Sequence, residues 1–205
     1  AGHAGVLVIN EPGLFVGSLA PAASILLRIP RNGLGANPIQ EAENELGLAA
    51  LVLLVAAMAC TPARRLFAWS WPIRIRRELG LLAFFYALTH FLTYLVLDQF
   101  FDWRAILADI LQRPFITVGF SALVLLAPLA WTSRSISIRR MGYMNWQRLH
   151  WLVYPAGILA VVHFVWRVKR DVSQPLTYAF IVAVLLGVRL VFWLRKRYAL
   201  GEALD

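Results

Sequence analysis

The sequence predicts an all-α membrane protein, a six-transmembrane-helix bundle, and three observations predict it. Of 205 residues, 60% are hydrophobic and 15% charged, and the mean hydropathy is +0.66, a membrane composition rather than that of a soluble domain. Apolar runs of membrane-crossing length alternate with short segments rich in arginine. Two imidazoles, His150 and His163, lie within one such run, WQRLHWLVYPAGILAVVHFVW, at 146–166. Their 13-residue separation spans roughly 20 Å of a hydrocarbon layer about 30 Å thick, so one ring belongs towards each membrane face.

Composition also excludes function classes. The net charge of +9 is distributed between apolar runs, as the positive-inside rule expects, and not as a basic face for nucleic acid. The single cysteine, Cys60, lies in an apolar run and reads as a buried inert thiol, with no disulfide framework or Cys-ligated cluster. Six spans of about 20 residues use about 120 of the 205 positions. That leaves no room for a soluble flavin or nicotinamide domain, and no glycine-rich nucleotide loop is present.

The elements follow in order. Residues 1–12 form an N-terminal tail with Asn10 and Glu11 in apolar company. The first span, 13–29, is short and contains Ser18, Pro21 and Ser24; it lacks the basic start of a signal peptide. A loop at 31–45 carries turn formers and then three carboxylates. Span two, 46–61, is expected to end at Pro62. Arg64, Arg65, Arg74, Arg76 and Arg77, with Trp69 and Trp71, make the next loop basic and interfacial. Span three, 79–97, holds His90 near its middle. A loop at 98–114 mixes Asp98, Asp102 and Asp109 with Arg104 and Arg113. Span four, 115–131, leads to a second basic loop with Arg134, Arg139, Arg140 and Arg148. Spans five and six, 148–167 and 176–194, are followed by Arg195, Lys196 and Arg197 and a tail at 198–205. The arginine-rich segments are expected on the cytoplasmic side, which places both termini there.

An ionisable ring inside a membrane is a functional-site hypothesis by default, and imidazole is an axial ligand of haem iron. The alternative role is a hydrogen bond between helices. Three rings at depths that suit two stacked sites favour haem: His90 with His163 on an outer haem, His150 on an inner one with no second ligand assigned. A fourth histidine 14 residues before His90 would share its helix face, and that position is Arg76. On a straight helix His150 and His163 sit about 220° apart; Pro155 and Gly157 lie between them and can kink or re-wind the segment. Arg76, Arg77 and Arg148 lie near the inner level and suit haem propionates, beside the plainer reading as topology signals. His3 is left without a role.

With these residues in view, the chain resembles the MsrQ (formerly YedZ) family, a relative of the ferric reductase and NADPH oxidase transmembrane domains. The resemblance rests on Gly33-Leu34-Gly35-Ala36-Asn37-Pro38, on Thr61-Pro62 with Arg64, and on Arg76-Arg77-Glu78-Leu79-Gly80-Leu81. It continues through His90, Tyr94, Arg113-Pro114-Phe115-Ile116-Thr117, Thr132-Ser133, Trp146, Leu149-His150, Tyr154, His163, Trp166, Pro175 and Tyr178. The first 30 residues match poorly, and Asn44-Glu45-Leu46 precedes Gly47 where the family tends towards Thr-Gly. The resemblance implies an inner-membrane, haem-binding subunit of a methionine-sulfoxide reductase system, with b-type haem and FMN. Its donors would be the quinone pool or a cytoplasmic flavin reductase, and its acceptor a periplasmic molybdopterin enzyme resembling MsrP. His90, His150 and His163 match the family's haem histidines.

The expectation is therefore an electron-transfer subunit with two b haems and no substrate-reducing site of its own. The rivals are a stand-alone transmembrane reductase of ferric iron or oxygen, and a haem-free transporter or scaffold.

Overall fold

A computed structural model describes residues 19–28 and 35–201, with side chains to 198. The described residues form helices joined by short connections, with no strand among them. Helix α1 covers Ala20–Arg28, α2 Pro38–Phe67 and α3 Trp71–Thr93, which runs on into a π-helical turn at Tyr94–Asp98. Helix α4 is Trp103–Gln112, α5 Pro114–Trp131, α6 Ser135–Met141, α7 Tyr143–His150, α8 Val153–Arg167 and α9 Ser173–Gly201. Among the described residues, five stretches are long and apolar enough to cross a membrane: Pro38–Phe67, Trp71–Asp98, Pro114–Trp131, Tyr143–Arg167 and Ser173–Tyr198. The expected first span falls mostly outside the described residues; the part within them is α1.

Several elements differ from expectation. Helix α2 starts at Pro38, inside the segment read as a loop, because Asn37 caps it by accepting from the Gln40 amide at 3.2 Å. It also continues past Pro62 to Phe67. Proline removes the amide that would bond the carbonyl four residues back, here Met58, and Arg189 Nη2 donates to that carbonyl instead at 2.7 Å. The loop at 98–114 contains α4, whose cap Asp102 accepts from the Arg104 and Ala105 amides. Tyr94–Asp98 and the left-handed residues Phe100 and Phe101 turn the chain from α3 into α4. The second basic loop contains α6 and the start of α7.

Within the bundle α2 packs along α3, α5 along α8, and α8 against α9. The central core joins Leu51, Leu54, Val55 and Met58 of α2 to Ala83 of α3, Leu126 and Leu129 of α5, Ala156 and Val161 of α8 and Val182 of α9. Close approach of α8 to α2 needs Gly157, where an added Cβ would lie 2.8 Å from Met58 Sδ. Outward faces are apolar, as at Phe180, Val184 and Leu190 on α9, which suits hydrocarbon and not water. The topology gives the bundle a basic end, carrying the 68–70 and 132–142 connections, and an opposite end carrying α4. Cys60 is buried and donates to the Ala56 carbonyl at 3.2 Å.

Candidate haem-ligating histidines

His90 lies near the end of α3 and His163 near the end of α8, both towards the end opposite the arginine-rich connections. Their ring centroids are 6.1 Å apart with planes at 76°. His90 Nδ1 donates to the Glu43 carbonyl at 2.9 Å, and His163 Nδ1 donates to the Phe115 carbonyl at 2.7 Å. A carbonyl can only accept, so each ring carries its proton on Nδ1 and keeps a lone pair on Nε2. Such a bond from the far nitrogen is what fixes tautomer and orientation in metal-ligating histidines.

The two seats are built alike. Four residues after each acceptor carbonyl stands a glycine: Gly47 after Glu43, Gly119 after Phe115. A helical carbonyl points towards the residue four positions on, so a side chain there would stand where the imidazole enters. A Cβ on Gly119 would lie 2.6 Å from His163 Nδ1, and one on Gly47 3.3 Å from His90 Nδ1. Phe115 also borders the His163 ring at 6.0 Å, and it lines an open groove of about 290 Å³ with Pro114 and Trp166.

The spacing of this pair is compatible with haem iron: were each Nε2 to hold one metal at about 2.0 Å from opposite sides, the ring centres would lie roughly 6 Å apart, against the 6.1 Å observed. Haem brings four equatorial nitrogens of its own, so two free Nε2 atoms suffice. Among the described residues no cluster of three His, Cys, Asp or Glu side chains could hold a bare metal ion.

His150 lies apart, at the basic end. Thr132 Oγ1 donates to the Pro128 carbonyl at 2.6 Å and accepts from His150 Nε2 at 3.2 Å. Trp146 lies against the His150 ring, centroids 4.0 Å apart and planes tilted by 32°, and donates from its indole to the Thr132 carbonyl. Were His150 to hold a haem iron through Nε2, that nitrogen would give up its bond to Thr132 and the ring would carry its proton on Nδ1. Between His150 and His163 the helix tightens: the amides of Trp151, Leu152 and Tyr154 each bond three residues back. Pro155 accounts for the last of these, because it leaves the Trp151 carbonyl without its α-helical donor, and the Tyr154 amide takes it. Thirteen α-helical residues rotate a side chain by about 220°, and three tightened steps add roughly 60°, bringing the rings within about 80° of one face.

Of the candidate arginines, Arg76 donates to Thr61 Oγ1 at 3.1 Å, while Arg77 and Arg148 are exposed at the basic end. Sequence reasoning gave no role to Arg189, which the fold places between α2, α8 and α9. Its signal was available, a lone guanidinium within an apolar run. Glycines 47 and 119 carried no such signal.

Comparison with known proteins agrees with this architecture. Residues 46–161 match the family described as ferric reductase like transmembrane component. The chain is 50% identical over 189 residues to the protein-methionine-sulfoxide reductase heme-binding subunit MsrQ of Rhodospirillum rubrum, covering 92% of this chain and 91% of the relative. The same-named subunit of Herminiimonas arsenicoxydans is 47% identical over 200 residues, covering 97% and 91%. That of Deinococcus radiodurans is 46% identical over 179 residues, covering 87% and 88%.

Proposed function

Because this chain belongs to the MsrQ family of haem-binding subunits and carries a ferric reductase-like transmembrane domain, we propose that it carries electrons outwards across the bacterial inner membrane through two b-type haems. The observation that carries this reading is the His90–His163 pair, with both Nδ1 atoms held by backbone carbonyls. The pair seats an outer haem and His150 an inner one. When bound, haem iron supplies a one-electron couple. The chain's own work is to hold the His90 and His163 rings in one tautomer, to keep His150 roughly 20 Å across the membrane from His163, and to surround the rings with apolar side chains that exclude water.

Electrons enter at the basic, cytoplasmic end from the quinone pool or a cytoplasmic flavin reductase. They leave at the α4 end to a periplasmic molybdopterin enzyme that reduces methionine sulfoxide in proteins. Both termini are cytoplasmic in this arrangement. FMN enters with the family, and no residue is assigned to it.

The test uses the purified full chain in liposomes, its haems reduced with dithionite and the excess removed. Adding a periplasmic molybdopterin methionine-sulfoxide reductase with methionine sulfoxide should reoxidise the haem, and omitting either should not. Reoxidation by ferric chelates or oxygen at the same rate without the partner would favour a stand-alone reductase.

A further inference from the structure

At the basic end, α2, α8 and α9 meet on one guanidinium. Arg189 Nη2 donates to the Met58 carbonyl at 2.7 Å, the acceptor that Pro62 leaves free. Arg189 Nη1 donates to the Tyr154 hydroxyl, and the guanidinium carbon sits 4.9 Å from the centre of the Tyr154 ring. The Arg189 Nε–H is fully buried and has no acceptor among the described residues. The Tyr154 hydroxyl accepts from Arg189, and its own proton has no acceptor among the described residues. The ion pairs among the described residues are Arg28–Glu45 and Arg113–Asp109, so no carboxylate offsets this charge.

A half-buried cation with a buried, unpartnered Nε–H, beside a tyrosine hydroxyl with a proton to donate and no anion paired to it, is costly inside a membrane and calls for an acceptor from elsewhere. A neutral carbonyl would satisfy the donors but leave the charge; a carboxylate satisfies both. Tyr154 stands one tightened helical turn from His150, so the carboxylate nearest to hand is one the inner cofactor brings. We propose that Arg189 and Tyr154 form a seat for an anionic oxygen between α2, α8 and α9, and that it takes a propionate of the haem held by His150. This rests on the reading of His150 as an axial ligand.

The experiment takes full-length chain purified from haem-depleted cells and titrates it with haem and with haem dimethyl ester, whose carboxylates are masked. Wild type should bind the ester about ten- to hundredfold more weakly than haem at one site, the worth of a charge-assisted bond. In Arg189→Gln and Tyr154→Phe that discrimination should shrink, and Arg189→Lys should restore part of it. Tyr154→Phe decides the matter if Arg189→Gln does not fold. Equal binding of haem and ester by wild type, or undiminished discrimination in the variants, overturns the seat while leaving the haem reading intact. No haem bound by wild type overturns the haem reading first and the seat with it. Native mass spectrometry supplies the second arm. A phospholipid lost in Arg189→Gln, with haem discrimination unchanged, would make the oxygen a lipid phosphate and overturn the propionate assignment.

Discussion

At the scale of single residues, the histidines depend on what stands beside them. Gly119→Ala would put a Cβ 2.6 Å from His163 Nδ1, whereas Gly47→Ala would put one 3.3 Å from His90 Nδ1. The first forces the imidazole off the Phe115 carbonyl; the second needs a shift of a few tenths of an ångström. We expect Gly119→Ala to lose most of the outer haem, taking the count from about two towards about one per chain, and Gly47→Ala to retain most of it, measured as pyridine haemochrome per chain. Equal loss in both would place the constraint elsewhere. The three histidines were legible in the sequence because an imidazole is anomalous in an apolar run. The glycines were not, since their role depends on which helices become neighbours, and spacing along one helix does not say that. Arg189 was as anomalous as any histidine, but its meaning needed the carbonyl that Pro62 exposes on another helix.

At the scale of elements, prolines decide more than helix ends. The sequence predicts a helix end at Pro62, yet α2 continues because the Met58 carbonyl that Pro62 orphans finds Arg189. Pro155 is expected to kink or re-wind its helix, and the helix tightens there. Pro155→Ala restores an amide to the Trp151 carbonyl, so the tightened turn should relax and His150 should rotate relative to His163. The expected result is a shifted oxidised-state paramagnetic resonance signal from the His150 haem, with the His90–His163 signal unchanged; two unchanged signals would contradict it. The segment read as the 98–114 loop holds α4, whose cap was visible as Asp102 but whose apolar pattern is only ten residues long. Asp102→Ala should cost about 1 kcal/mol of local helix stability, raising hydrogen exchange at Arg104 and Ala105 roughly fivefold.

At the scale of the whole molecule, the spacing of apolar runs and basic segments made the bundle legible, since both follow from the bilayer as solvent. The pairing of helices was not legible, because lipid-facing and core-facing sides of such helices are both apolar and periodicity is faint. Sidedness is open to a direct check. Cys60 is buried, so single cysteines at exposed Ser70, Ser135 and Asp171 can be labelled selectively in a Cys60→Ala background. An impermeant maleimide should reach position 171 from the periplasm and positions 70 and 135 only after the membrane is opened; the reverse pattern would invert the electron path.

The central claim, that two imidazoles 6.1 Å apart seat one haem and His150 a second, is tested most directly by counting. The purified chain, expressed with ample haem, should show a b-type spectrum when reduced with dithionite and close to two haems per chain. His163→Ala should lower that to about one, as expected when one of two separate sites loses an axial ligand. An absent Soret band in the wild type, or an unchanged count in His163→Ala, would contradict the account.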